Sequence, residues 1–347
     1  LVDLPRVAAR LKELQVPGFR LDQVRRAVFD EAVPSFQEMQ VLPAELRQTL
    51  SASVPLMSAG LKRVDVSGDR RAHKALLILA DGKIIETVLL RPSLSRWTTC
   101  VSTQVGCAIG CTFCATGLMG LSRNLNPEEI TDQVLFLRQY MRREGLEGRI
   151  DNVVYMGMGE PFATYENTSE SLRRLMDQKQ FGIGARHISV STSGIVPQIE
   201  RFGADFPQVN LALSLHSADD ALRTKLVPVN KAYPLATLSK AIQKYLSLTK
   251  RKVFLEYVLL RGENDRAADA AKLIDWVKAT GPLELLHVNL IIFNKTETPH
   301  EATGEENARS FQERVLAQGI KATVRQNLGR DIKGACGQLI ISDTESR

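Results

Sequence analysis

Asn152-Val-Val-Tyr-Met156-Gly-Met-Gly-Glu160-Pro161 is a β-branched and aromatic run that breaks into glycines, a carboxylate and a proline. It reads as a strand followed by a tight polar turn. The pattern recurs along the chain. Ile188 to Thr192 runs into Ser193-Gly194, Val209 to Ser214 into Leu215-His216-Ser217, and Leu286 to Phe293 into Asn294. Val253 to Leu260 and Lys321 to Arg325 are further β-compatible runs, and helical periodicity fills the intervals. One of those helices opens at Asn126-Pro127-Glu128-Glu129, an N-cap, a first-turn proline and two acids. Repeated βα alternation over about 230 residues predicts an α/β fold with a parallel sheet, doubly wound or rolled into a full or partial barrel. In either form, chemistry belongs at the C-terminal ends of the strands, where the polar signatures stand.

Working outward, Ala75 to Leu79 and Ile84 to Leu90 flank Asp81-Gly82 and predict a β-hairpin. Before it, Leu21, Val24 and Val28 recur at helical spacing, Pro17-Gly18 breaks the chain, and Leu42-Pro43 opens another amphipathic run through Leu46 and Leu50. The chain therefore divides into a helical segment over 1–65, a hairpin extension over 66–99 and a core over 100–341. Its 347 residues are 44% hydrophobic and 24% charged, the composition of a globular protein with ample core, not of a disordered or disulfide-rich chain. No apolar stretch approaches the ~18 to 20 residues of a membrane span and no leader pattern precedes the first helix, so a cytoplasmic protein without a membrane partner is expected. The net charge of +6 permits an anionic partner without identifying one. The basic pairs Arg70-Arg71, Arg142-Arg143 and Arg173-Arg174 read individually as solvated faces.

Four of five cysteines fall within fifteen residues, Cys100, Cys107, Cys111 and Cys114; the fifth is Cys336. Such clustering points to metal or catalysis. The spacing Cys107-x3-Cys111-x2-Cys114 places three thiolates on one tight loop, where they can bind three corners of a cubane iron–sulfur cluster and leave its fourth iron open. This spacing resembles that of radical S-adenosylmethionine (SAM) enzymes, with Phe113 in the place of a shielding aromatic. A zinc knot completed by Cys100, Cys336 or a histidine is the alternative. The glycines of Gly157 to Pro161 would let a ligand approach the backbone, and Glu160 could pair with an ammonium group. The bland reading is a tight turn with a structural salt bridge.

Cys100-Val-Ser-Thr-Gln-Val-Gly-Cys107-x3-Cys111-x2-Cys114, Met156-Gly-Met-Gly-Glu-Pro161, Ser191-Thr-Ser-Gly194, Ser214-Leu-His216, Val288-Asn-Leu-Ile291 and Ala335-Cys336-Gly-Gln338 together resemble, in order and spacing, the RlmN/Cfr family of RNA adenine methyltransferases. The likeness runs from about residue 15 to the C-terminus. Gly18-Phe-Arg20 and Val41-Leu-Pro43 look like that family's helical accessory domain, which binds RNA. The resemblance implies a radical SAM partial (β/α)6 TIM-like barrel carrying a 4Fe–4S cluster. It further implies methylation of a 23S rRNA adenosine at C2, with a tRNA anticodon-loop adenosine as a second target, two SAM molecules per turnover and an electron donor such as flavodoxin.

The residue roles implied by the resemblance are as follows. Cys107, Cys111 and Cys114 hold the cluster. Cys336 is methylated and, after hydrogen abstraction, adds to the base, while Cys100 resolves the crosslink through a disulfide with Cys336. Gly159, Glu160, Ser191, Ser214, Leu215, His216 and Asn294 match SAM contacts, and Glu86 matches a proton acceptor. Alternation alone would equally make Glu86 a solvent-facing strand residue, and His216 alone would read as a structural histidine. Phe293-Asn294-Lys295-Thr296 lacks the Asn-Pro of many relatives, which predicts a freer loop there. The C8-methylating branch, which confers antibiotic resistance, is the nearest rival reading, and a non-enzymatic metal-containing RNA-binding module is a rival of another class.

Overall fold

The computed structural model describes residues 4–339, so the last two residues of the 100–341 segment and the first three of the chain lie outside it. Three helices come first, α1 (Leu4–Glu13), α2 (Phe19–Phe29) and α3 (Ala44–Ser53). The strands follow as β1 (Ala59–Val66), β2 (Ala72–Leu79), β3 (Ile84–Ser93), β4 (Arg96–Cys100), β5 (Gln104–Gly106), β6 (Leu121–Asn124), β7 (Ile150–Tyr155), β8 (Ile188–Thr192), β9 (Asn210–Ser214), β10 (Val253–Leu259), β11 (Leu286–Ile292) and β12 (Lys321–Val324). Ten of them form one sheet in the order β1-β2-β3-β4-β7-β8-β9-β10-β11-β12, and β5 and β6 pair separately.

β1 to β4 pair antiparallel, and every pairing from β4 to β12 is parallel. The parallel strands are apolar because helices cover the outer face and the interior is closed: Leu211, Leu213, Val253 and Leu255 are all fully buried. Seven parallel strands are present where the resemblance implied six, since β12 adds to β11. Side chains of β4, β7, β11 and β12 line one common cavity, so the sheet curls towards itself as an incomplete barrel.

The Asp81-Gly82 hairpin is present, with Ala75 opposite Thr87 and Gly82 at φ +79°. It is not a free-standing extension, because β3 pairs with β4 and extends the core sheet. β1 lies within the stretch expected to be helical. Its alternation is hidden because most of its residues are exposed or half-buried. The N-terminal helices share the apolar core of the sheet. Arg138 caps that contact by donating to the carbonyl oxygens of Phe29 and Phe181 at 3.1 and 2.9 Å.

Helix α4 (Ala115–Leu118) follows the cysteine loop, and α5 (Pro127–Arg143) opens with the expected cap, Asn126 and Glu129 forming a reciprocal capping box. Buried Gln133 of α5 accepts from the Ser102 amide at 2.7 Å and donates to its carbonyl at 2.9 Å. That clamp fixes the segment leading from β4 into the cysteine loop.

Candidate active site

The turns after the parallel strands meet in a cavity of about 160 Å³. Its wall holds Cys107, Cys111 and Cys114, and also Gly159, Glu160, Ser191, Ser214, His216, Asn294 and Cys336. Residues spread over 230 positions of sequence thus converge. Leu215 is the exception: its side chain is fully buried in the core and is absent from this wall, while Ser214 and His216 on either side of it line it.

Burial pushes the Cys107 thiol up to about 12 and raises Cys111 and Cys114 in the same direction. Deprotonation there needs compensating positive charge, which an iron cluster supplies. Among the described residues no three His, Cys, Asp or Glu side chains converge on a single-ion site. The three thiols line one cavity wall together, which is the donor set an iron–sulfur cluster requires.

Glu160 is buried and its carboxylate accepts the backbone N–H groups of Phe162 at 3.0 Å and Ser193 at 2.7 Å. Burial raises its pKa and those donors oppose the rise. No salt bridge holds it among the described residues; its carboxylate instead ties the turn after β7 to the turn after β8. The glycines beside it line the cavity and also meet a close approach from the chain itself. A Cβ on Gly157 would sit 2.7 Å from Ser102 Oγ, and one on Gly159, at φ +102°, 2.6 Å from Gln104 Cβ. They let the turn lie flat on the chain leading to the cysteines.

His216 adopts φ +57° and accepts the Val258 amide at Nδ1, 3.1 Å, which leaves the proton on Nε2. Burial, then the nearby Arg223 charge, push its pKa down to about 3, so the ring stays neutral. Ser191 and Ser214 hydroxyls meet at 3.2 Å across β8 and β9. Asn294 donates to the Cys336 carbonyl, and its Oδ1 is buried with no hydrogen-bond partner among the described residues. The loop after it is held without proline: Gln338 donates to the Lys295 carbonyl at 3.1 Å and Lys295 to that of His300 at 3.0 Å.

Cys100 lies outside this cavity. It lines a second one, of about 570 Å³, between β4 and the strands β11 and β12. Cys336, Arg325, Met156 and Ile291 line both. All five cysteines are free, so the Cys100–Cys336 disulfide implied by resemblance is not a feature of this structure. Burial pushes Cys100 up to about 12, with the neighbouring Cys336 adding to the rise. Glu86 lines neither cavity and is not solvent-facing: it is fully buried and pairs with buried Lys74 at 3.0 Å.

Three charged residues, Arg223 and Glu256 buried and Arg325 half-buried, carried no local signal in the sequence. Arg223 donates to the carbonyls of Leu215, Ser193 and Ser214 and to Asn230 Oδ1, gathering the turns after β8 and β9. Arg325 pairs with Glu256 at 3.2 Å, and Glu256 accepts from Asn289 at 2.8 Å.

The Radical SAM superfamily model matches residues 101–274, half of the chain. A probable dual-specificity RNA methyltransferase RlmN of Chloroflexus aurantiacus is 43% identical over 93% of this chain and 87% of its own length. That of Dictyoglomus turgidum is 41% identical over 93% and 90%. The chain belongs to the RlmN family of radical SAM RNA methyltransferases. The crystal structure of a radical SAM methyltransferase from Sphaerobacter thermophilus matches with a TM-score of 0.90, 42% identity and 97% coverage of both chains. RlmN membership makes this a SAM-dependent RNA methyltransferase and implies a 4Fe–4S cluster and SAM. The cavity fits both groups: three thiols on one wall, a buried carboxylate, and an unpartnered amide oxygen on Asn294. Among the described residues no helix is long and apolar enough to cross a membrane.

Proposed function

We propose that this chain methylates a 23S rRNA adenosine at carbon 2, and an anticodon-loop adenosine of tRNA. In this reading Cys336 carries the carbon and Cys100 releases the product. The observation that carries the reading is the position of Cys336, the thiol that lines both the three-cysteine cavity and the cavity of Cys100. Adenine C2 is an electron-poor C–H centre, so the bound cluster and SAM, two per turnover, supply a methyl group and the one-electron chemistry that activates it.

The protein's own residues do the rest. Cys107, Cys111 and Cys114 hold the cluster. Glu160, kept in place by two backbone donors, receives an ammonium group, while Asn294 Oδ1 accepts and the neutral His216 ring donates. Ser191, Ser214 and the backbone at Gly159 complete the SAM cradle. An adenine unstacked from a single-stranded loop enters the larger cavity and reaches Cys336. Cys100 then attacks the Cys336 sulfur; the S–S bond forms as the bond from that sulfur to the bridging methylene breaks, and the methylene, left on the base with the electron pair, takes up a proton to become the methyl group. Glu86 is the proton acceptor in this reading. It lies two residues from Val88, which stands opposite Cys100 in the sheet.

The N-terminal helices and scattered basic pairs supply phosphate contacts. A flavodoxin-type protein supplies electrons, and the cytoplasm is where these RNAs are met. Mass spectrometry of nucleosides from treated 23S rRNA and tRNA tests the reading. The expected product is 2-methyladenosine. Finding 8-methyladenosine instead would assign the C8 branch, and finding neither would remove the adenosine assignment.

A further inference from the structure

Asp65, Lys74, Val88 and Cys100 stand directly opposite one another on β1, β2, β3 and β4. Residues in register across a sheet share a face, so all four side chains leave it on the side of the Cys100 thiol. Glu86 and Leu90 lie two positions either side of Val88 on β3 and share that face. Leu90, Thr98 and Cys100 line the larger cavity, so Glu86 stands on the same floor just beyond it. Lys74 Nζ lies 3.0 Å from Glu86 Oε1 and 3.8 Å from Asp65 Oδ2. Lys74 and Glu86 are buried; Asp65 is half-buried, with Arg63 3.1 Å from its other oxygen. β5, which also contacts β3, brings Gln104, Val105 and Gly106, none of them titratable. The titratable groups facing Glu86 across the sheet are therefore Lys74, Asp65 and Cys100.

We propose that Lys74 is a positioning residue that keeps Glu86 ionised, and so able to accept a proton, beside the cavity of Cys100; the proposal rests on the reading of Glu86 as the proton acceptor. Burial disfavours the charged form of a carboxyl, and a cation in contact restores it. Putting methyl in place of hydrogen at carbon 2 releases that hydrogen as a proton, its bonding electrons staying with the ring. The Glu86 carboxylate takes that proton and becomes the neutral acid. A merely structural pair is a poor reason for two charges here, because drying an ion pair commonly costs as much as the attraction returns. Their neighbours on the same face, Ala72, Leu76 and Val88, are buried and apolar, so an apolar pair would have packed there as well.

The test uses iron-loaded full-length protein and the variants Lys74→Met, Lys74→Arg, Asp65→Asn and the double change Lys74→Met with Glu86→Gln. Infrared spectroscopy at neutral pH, without SAM or RNA, reads the carboxyl directly. Lys74→Met should gain the carbonyl band of a protonated carboxyl, and the parent, Lys74→Arg and the double variant should lack it. In single turnover with RNA, Lys74→Met should form methyladenosine roughly tenfold more slowly at neutral pH, the deficit closing as pH rises and Glu86 ionises again. Lys74→Arg should restore the parent profile. Asp65→Asn removes a competing anion and should displace the profile to lower pH. No added band in Lys74→Met, or a deficit that is the same at every pH, overturns the proposal in favour of a structural pair. If Lys74→Met does not fold, the Asp65→Asn profile decides, and a displacement to higher pH, or none, overturns it. Glu86→Gln protein that turns over normally would fail the reading of Glu86 itself while leaving the infrared result intact, a distinguishable outcome.

Discussion

The side-chain amide of Asn294 donates to the carbonyl oxygen of Cys336 at 3.1 Å, tying the end of β11 to the segment that carries the catalytic thiol of the proposed reaction. The same amide keeps its oxygen unpartnered at the cavity. One side chain therefore steadies the thiol and offers an acceptor. Asn294→Ala should loosen the Cys336 segment by about 1 kcal/mol, the worth of one such bond, and raise iodoacetamide labelling of Cys336 roughly fivefold. Asn294→Asp keeps the acceptor and loses the donor. It should label as fast as the alanine variant yet hold SAM more tightly than it.

Arg223 is fully buried and its guanidinium satisfies three carbonyls and one amide oxygen. Burial lowers its pKa to about 10, which leaves it charged at neutral pH. Arg223→Met strands those acceptors and should destabilise the fold by about 3 kcal/mol or more, read as a lower denaturation midpoint. Arg223→Lys should rescue little, since an ammonium cannot reproduce a planar fork of donors. A lysine variant as stable as the parent would show that charge alone matters there.

Burial raises the Cys336 thiol, the Arg325 charge opposes that rise, and Glu256 adds to it. Alkylation requires the thiolate, so the pH profile of labelling reads this balance. Arg325→Gln removes the opposing charge and should move the profile to higher pH, slowing labelling at pH 8. Glu256→Gln should move it the other way. Identical profiles for both variants would mean that Cys336 is screened from the pair.

How much of this was legible depended on whether the signal is local. The strand Ile188–Thr192 has the ends the sequence suggested, because a β-branched run bounded by Arg-His and Ser-Gly is a local pattern. The cysteine loop was legible for the same reason, its spacing being fixed by three near neighbours. Arg223 and Arg325 were not, since a lone arginine in a helix or after a strand has no pattern until the fold surrounds it. Leu215 sits inside a motif whose neighbours line the cavity, yet its own side chain lies in the core, which the motif alone does not reveal. The glycines at 157 and 159 were legible as a place of close approach to the backbone, but that the Ser102–Gln104 segment also presses on them appears only in the fold.

The two cavities divide the cysteines into classes that iron analysis separates. Cys107→Ala, Cys111→Ala and Cys114→Ala should each lose most bound iron and sulfide after anaerobic reconstitution, because each removes one corner of the cluster. Cys336→Ala should hold iron at the parent level, about four per protein, and make no methylated RNA. Full reductive SAM cleavage by the Cys111→Ala protein would remove the ligand assignment.

Cys100 gives the sharpest test, since the competing role is a spare cluster ligand. It is buried in the larger cavity and absent from the wall of the three-cysteine cavity, so Cys100→Ala should take up iron and cleave SAM as the parent does. If its sulfur breaks the bond between Cys336 and the base, the variant should then stop after that bond forms. The product is protein joined to RNA through one carbon on Cys336, migrating with RNA under denaturing conditions and collapsing to a single-nucleotide adduct after nuclease digestion. Cys100→Ser should stall as well, because a hydroxyl is not a sufficient nucleophile near neutral pH. Burial holds the Cys100 thiol near 12, so release in the parent should quicken as pH rises towards that value. A Cys100→Ala protein that turns over normally would exclude the resolving role, and one that fails to bind iron would move Cys100 into the metal site.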